Sequence, residues 1–106
     1  MIIKKGVKLM KTKQELIDLI LTDDTAYNEL MELQDDVFKL YDDAVSWEVS
    51  AHDIEVVELL TRTFIAIKAS NNKLWGSKSI GTYIKRCPLA QFWRNQLETS
   101  IKKIAQ

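Results

Sequence analysis

The fold of this chain is decided by residues 26–45, which read AYNELMELQDDVFKLYDDAV. At about 100° per residue, the apolar side chains cover one side of a helix and the carboxylates cover the other. The carboxylates are Glu29, Glu32, Asp35, Asp36, Asp42 and Asp43. The acidic side of the helix is interrupted only by Asn28 and Lys39. The pattern predicts one long amphipathic helix with an acidic back.

The segments on either side of this helix carry helical signals of their own. Residues 12–21 predict a first short helix, because Thr12 and Glu15 have the spacing of a capping box ahead of an apolar repeat. Residues 80–84 predict one or two further helical turns. A last helix is expected over residues 88–104, since its first residue is proline, which is favoured in the first turn of a helix.

Residues 51–69 predict the central helix of the fold. They are apolar over most of the helix circumference, and the remaining narrow stripe is Glu55, Glu58, Arg62, Ala66 and Ala69. A helix of this kind belongs at the centre of a bundle or in an oligomer interface. The sequence therefore leaves a homodimer as an open alternative. We therefore expect an all-α fold, a compact bundle of four to five helices forming a single domain over residues 1–106. Residues 1–11 are expected to be a flexible basic leader, with Met1 or Met10 as the native start.

The composition is that of an ordinary globular domain. Apolar residues make up 46% and charged residues 28% of the 106 residues, and three glycines and one proline are too few for the turns of a many-stranded sheet. The single cysteine, Cys87, excludes an intramolecular disulfide and fits a reducing compartment. No apolar run is long enough to cross a bilayer, and no signal-peptide pattern is present. A cytoplasmic location is expected.

The formal net charge of zero hides a steep separation of charge along the chain. Residues 1–14 hold five lysines and no acid, residues 15–60 hold fourteen acids and one base, and residues 61–106 hold nine bases and one acid. Such asymmetry indicates either an interaction surface or acidic and basic helices that neutralise each other within the monomer. The two interpretations are compatible.

Residues for catalysis and metal binding are scarce. A zinc site needs several Cys or His ligands, and the chain has only His52 and Cys87. The same pair would be needed for a thiol nucleophile with a histidine base, and Gly76 and Gly81 do not have the spacing of a phosphate-binding loop. We expect no enzymatic activity, no cofactor and no specific metal site.

One arrangement of glutamates is the exception that keeps an enzymatic alternative open. Glu29 and Glu32 form an i, i+3 pair, and 22 residues separate Glu32 from a second such pair, Glu55 and Glu58. Two such pairs on antiparallel helices can hold Mg²⁺, which prefers oxygen ligands. The layout is similar to that of all-α nucleotide pyrophosphatases of the MazG kind, with Glu58 where that family has aspartate. The resemblance implies a Mg²⁺-dependent nucleotide pyrophosphohydrolase.

The favoured hypothesis is a non-enzymatic protein–protein interaction module. The six carboxylates of residues 26–45 form a row of negative charge that would attract a basic partner by electrostatic complementarity. A nucleic-acid-binding protein would present such a basic surface. The sequence therefore predicts an inhibitor or decoy of a nucleic-acid-handling protein, of the type found in phages and mobile elements.

The alternative is direct binding of nucleic acid by the basic C-terminal region, residues 73–103. Cations and aromatic residues alternate there, as on a surface that contacts the phosphate backbone and stacks on bases. The candidate contacts are Lys73, Lys78, Lys85, Arg86 and Arg94. The pI of about 6.6 is lower than that of a typical nucleic-acid-binding domain, which places this hypothesis second.

Overall fold

A computed structural model describes residues 11–46, 51–69 and 79–105 of the chain. These ranges contain six helices: α1 (Lys13–Leu21), α2 (Tyr27–Met31), α3 (Gln34–Ser46), α4 (Ala51–Ala69), α5 (Ile80–Lys85) and α6 (Pro88–Ala105). Within them there is no strand, and one isolated antiparallel bridge joins Ala26 to Ser79. The predicted all-α fold is confirmed. The predicted leader lies outside the described residues except for Lys11.

The first helix begins where the capping pattern predicts. Thr12 is the N-cap residue: its hydroxyl accepts a hydrogen bond from the Glu15 backbone N–H at 3.2 Å, and its own N–H donates to Oε1 of Glu15 at 2.8 Å. This reciprocal pair satisfies two of the backbone donors that a helix start leaves free. The Glu15 carboxylate is thereby stabilised, mainly by the Thr12 N–H, which lowers its pKa below the ordinary 4.5.

The predicted single helix over residues 26–45 is wrong, because the structure divides it into α2 and α3. At the division the Leu33 N–H donates to the Leu30 carbonyl, three residues back, instead of four. Tyr27, Leu30 and Leu33 are spaced by three residues, a spacing that drifts around a regular helix of 3.6 residues per turn. A tighter turn with i→i+3 bonds keeps all three side chains in the core, where each is at most 4% exposed.

Helix α4 is central, as its composition predicts, and packs against α1, α3, α5 and α6. Its Leu60, Phe64 and Ile67 are almost completely buried in one hydrophobic core to which all six helices contribute. The predicted polar stripe is only partly correct. Ala66 is buried, whereas Ile65, counted with the apolar side, is 48% exposed.

A compact junction joins the α1–α2 loop to the start of α5 and to α6. The Ile80 N–H donates to the Thr25 carbonyl at 2.7 Å, and the Gly81 N–H donates to the Asp23 carbonyl at 2.9 Å. Arg94 of α6 reaches the same loop, with Nη1 2.7 Å from Oδ1 of Asp23. Two backbone hydrogen bonds thus fix the start of α5 to the α1–α2 loop, and the ion pair between Arg94 and Asp23 fixes the same loop to α6.

Candidate protein-interaction surface

Five of the six predicted contact residues lie at the surface of the described structure. Glu29, Glu32, Asp35 and Asp42 are exposed and Asp43 is half-buried; these five residues are called the acidic surface below. The turn between α2 and α3 lies within this set, with Glu29 before it and Asp35 after it. Glu29 lies in the first turn of α2 and Asp35 in the first turn of α3, where the helix dipole favours a carboxylate.

The sixth predicted contact, Asp36, does not belong to this surface. It is 4% exposed, and its Oδ2 accepts a hydrogen bond from the Lys11 backbone N–H at 2.8 Å. Adjacent residues of a helix point about 100° apart, so Asp35 faces outward while Asp36 faces the chain that enters α1. Asp36 therefore has a structural role, and its inclusion among the surface contacts is corrected.

Three members of the acidic surface are not paired with a base of the described residues. Lys39, the one base of α2 and α3, lies 3.5 Å from Oδ1 of Asp43, one helical turn away. Glu29, Asp35 and Asp42 form no ion pair with any residue in the described ranges. An exposed i, i+4 pair such as Lys39–Asp43 contributes only about 0.3–0.5 kcal/mol, and it leaves most of the negative charge facing solvent.

An open apolar groove of about 330 Å³ borders the acidic surface, between α3 and α4. The α3 wall is formed by Phe38 and Tyr41, which lie between Asp35 and Asp42 along the helix. The α4 wall is formed by Glu58, Thr61, Arg62 and Ile65. The sequence did not predict this groove, because Phe38 and Tyr41 belong to the apolar side of residues 26–45, which predicts contact with the core.

The four glutamates proposed to hold Mg²⁺ do not come together. Glu55 accepts a hydrogen bond from the Ser100 hydroxyl at 3.2 Å, and Glu58 lies 3.7 Å from Nη2 of Arg62. No group of three or more His, Cys, Asp or Glu side chains in the described ranges is arranged to hold a metal ion. The geometry does not support the pyrophosphohydrolase that the resemblance implies.

His52 is engaged in a structural cluster between α4 and α6. Its Nε2 lies 3.0 Å from the backbone oxygen of Ser100, and since a carbonyl can only accept, this nitrogen carries the proton. The Ser100 hydroxyl donates to Glu55 instead of to the histidine, and Ser100 is 2% exposed. A serine nucleophile requires an accessible hydroxyl bonded to its base, so these three residues connect helices and do not form a catalytic triad.

The structure describes three of the five residues predicted to bind nucleic acid. Lys73 and Lys78 lie outside the described residues, and Lys85 and Arg86 are exposed at the end of α5. The Arg94 side chain is only 20% exposed and is paired with Asp23. Lys85 and Arg94 both line one cavity of about 280 Å³ that Asp23 also lines, so two described members of this set lie close together. One of them, Arg94, is paired with the carboxylate of Asp23 there.

Comparisons with protein-family models, with curated proteins and with solved structures gave no match. None of the described helices has both the length and the apolar character required to span a membrane.

Proposed function

We propose that this protein is a non-enzymatic interaction module that binds a basic protein partner through the acidic surface. The observation that carries the proposal is the exposure of Glu29, Asp35 and Asp42 without an ion pair to any described residue. A row of carboxylates that the described residues do not neutralise raises the local concentration of cationic partners and their association rate.

The spacing of the carboxylates suits a partner that ordinarily binds nucleic acid. Asp35 and Asp42 are seven residues apart on α3, which places them about 10 Å apart along the helix axis at 1.5 Å per residue. Both project from the same side of α3, because seven residues complete nearly two turns. A rigid row of negative charges can occupy a basic groove in place of phosphates, and we propose an inhibitor or decoy of a nucleic-acid-handling protein acting in a reducing, cytoplasmic compartment.

The pairing of the C-terminal bases supports this proposal over the nucleic-acid alternative. Arg94 pairs with Asp23, and Arg62 pairs with Glu58. Arg94, whose side chain is only 20% exposed, therefore serves as an internal counter-charge, whereas the half-exposed pair of Arg62 and Glu58 neutralises little. Neither carboxylate of these pairs belongs to the acidic surface, so the neutralisation leaves that surface negative.

The direct test is a fluorescence-anisotropy titration with a labelled lysine decapeptide at low and physiological salt. We expect salt-sensitive binding by the wild-type chain and at least a ten-fold loss of affinity for Asp35→Lys/Asp42→Lys. The matched control is Asp18→Lys/Glu98→Lys, which changes the net charge equally at exposed positions on α1 and α6. Equal affinities of the two variants would contradict the proposal.

A second measurement tests the decoy function. Labelled double-stranded DNA bound to the lysine peptide should be released by the wild-type chain and retained in the presence of Asp35→Lys/Asp42→Lys. Direct, salt-sensitive binding of the wild-type chain to the DNA, weakened by loss of Lys85 and Arg86, would support the nucleic-acid alternative instead.

A further inference from the structure

The groove between α3 and α4 is part of a longer apolar surface. A second, smaller groove of about 180 Å³ lies on the other side of α4, and Leu89 and Trp93 of α6 form its far wall. Arg62 and Ile65 line both grooves, so the two grooves meet on α4 at the exposed side chain of Ile65 and beside the Arg62 guanidinium. Phe38, Ile65 and Leu89 are 36%, 48% and 57% exposed along this surface. Contiguous exposed side chains of this size mark an interaction surface more often than scattered ones do.

The walls of the first groove are held in place by contacts with the core. Phe38 packs edge-on against the buried Phe64, with ring centroids 6.1 Å apart. The Arg62 guanidinium lies over the ring of Trp93, 5.1 Å from its centroid, and close to Glu58. The groove is thus formed before any partner binds, and little side-chain entropy would be lost on docking.

The charges beside the groove are unequal on its two sides. The α3 side carries Asp35 and Asp42, which flank Phe38 at i−3 and i+4. On the α4 side, Glu58 and Arg62 neutralise each other. A cationic occupant would therefore be attracted toward α3.

We propose that the groove between α3 and α4 binds an amphipathic helix whose apolar face enters the groove and whose lysine or arginine flank contacts Asp35 and Asp42. The inference rests on the proposed function and specifies the chemistry of its basic partner. A channel between two packed helices has the shape that a third helix fills, by the same fitting of ridges into grooves that joins α3 to α4.

The length of the groove sets the length of the segment that is bound. Its α4 wall, from Glu58 to Ile65, extends about 10 Å along the helix axis, which corresponds to two helical turns of a partner. Over that length the partner would present apolar residues at i, i+3, i+4 and i+7, with cations adjacent to one edge of this stripe.

The experiment compares three labelled peptides of about 18 residues by anisotropy. The first is an amphipathic helix of leucine and lysine. The second has the same composition in an order that does not segregate the leucines, and the third has glutamate in place of lysine. We expect the first peptide to bind at least ten-fold more tightly than the second, and the third to bind negligibly.

Two protein variants then locate the binding site. Ile65→Ser should remove most of the preference for the amphipathic peptide, because Ile65 lies in the wall of the groove. Phe92→Ser is the matched control: Phe92 is exposed to a similar degree, at 50%, but lines neither groove. Ile65 is half exposed, so its substitution is compatible with folding, which thermal unfolding would verify.

The outcomes separate this inference from the proposal on which it rests. Equal binding of the first two peptides, still lost in Asp35→Lys/Asp42→Lys, would overturn the groove inference and leave the acidic surface in place. Absence of binding by every cationic peptide would overturn both. An Ile65-dependent dimer detected by sedimentation, with no peptide preference, would show that a second copy of the chain covers the groove and would also overturn the inference.

Discussion

Nη1 of Arg94 lies 2.7 Å from Oδ1 of Asp23, so an arginine of the basic C-terminal half is paired with a carboxylate of the acidic first half. The Arg94 side chain is only 20% exposed, and its Nη1, although close to the carboxylate, has no hydrogen bond of good angular geometry. The contact is therefore best described as a charge pairing that compensates a largely buried cation. It shows that part of the charge separation along the chain is used within the fold.

Loss of this pairing should destabilise the protein. Asp23→Asn would leave the largely buried Arg94 charge without compensation. The side chain of Asp23 itself is 59% exposed, so we expect the free energy of unfolding to fall by about 1–2 kcal/mol, between the values for exposed and buried pairs. The adjacent Asp24→Asn is the control, because Asp24 is exposed and forms no ion pair with a described residue. Urea denaturation measures both variants, and an equal effect of the two would show that Arg94 does not depend on Asp23.

The buried carboxylate of Asp36 should be far more important for stability than its exposed neighbour. Asp36→Ala removes the acceptor of the Lys11 N–H, and we expect a loss of about 1–3 kcal/mol. Asp35→Ala should change stability by less than about 0.5 kcal/mol, as is usual for exposed sites. Both residues lie in the first turn of α3, so the helix-dipole contribution is similar for both and largely cancels in the comparison. Equal losses in thermal or urea unfolding would contradict the structural role of Asp36.

Gly81 should not tolerate a side chain, even though alanine favours helices. A Cβ at this position would lie 2.8 Å from Cβ of Asp23 and 3.0 Å from its carbonyl oxygen, and the latter is backbone. The helix propensity of alanine would contribute about 1 kcal/mol in favour of Gly81→Ala. We expect the overlap to exceed that gain, with a net loss of about 1–3 kcal/mol. A raised unfolding midpoint would show that the loop moves away at little cost.

The capping box of α1 should make stability depend on pH in the acid range. The pKa of Glu15 is lowered in the folded chain, chiefly by the hydrogen bond from the Thr12 N–H, so the ionised form is favoured by folding. Its contribution is fully present above the ordinary pKa of 4.5 and is lost as the pH falls through the lowered folded value. The stability difference between wild type and Glu15→Gln should therefore be larger at pH 7 than near pH 3. A difference that does not vary with pH would exclude this linkage.

The sequence by itself determined that these segments are helical and where several of the helices begin. Thr12 and Glu15 specify the start of α1, and the apolar composition of residues 51–69 specifies a central helix, because capping and hydrophobic periodicity are local properties of the chain. The exposure of Glu29, Asp35 and Asp42 also followed from their position opposite the apolar side of the segment.

Only the tertiary structure decided the division between α2 and α3, the burial of Asp36 and the groove beside Phe38. No proline or glycine marks the division, which arises because Tyr27, Leu30 and Leu33 must all reach the same core. Asp35 and Asp36 have the same side chain. Only Asp36 accepts the hydrogen bond from the Lys11 backbone N–H, 25 residues away in sequence. Ile65 is exposed because the described helices cover the other sides of α4 and leave this one open, and such an arrangement of neighbours is absent from any local pattern.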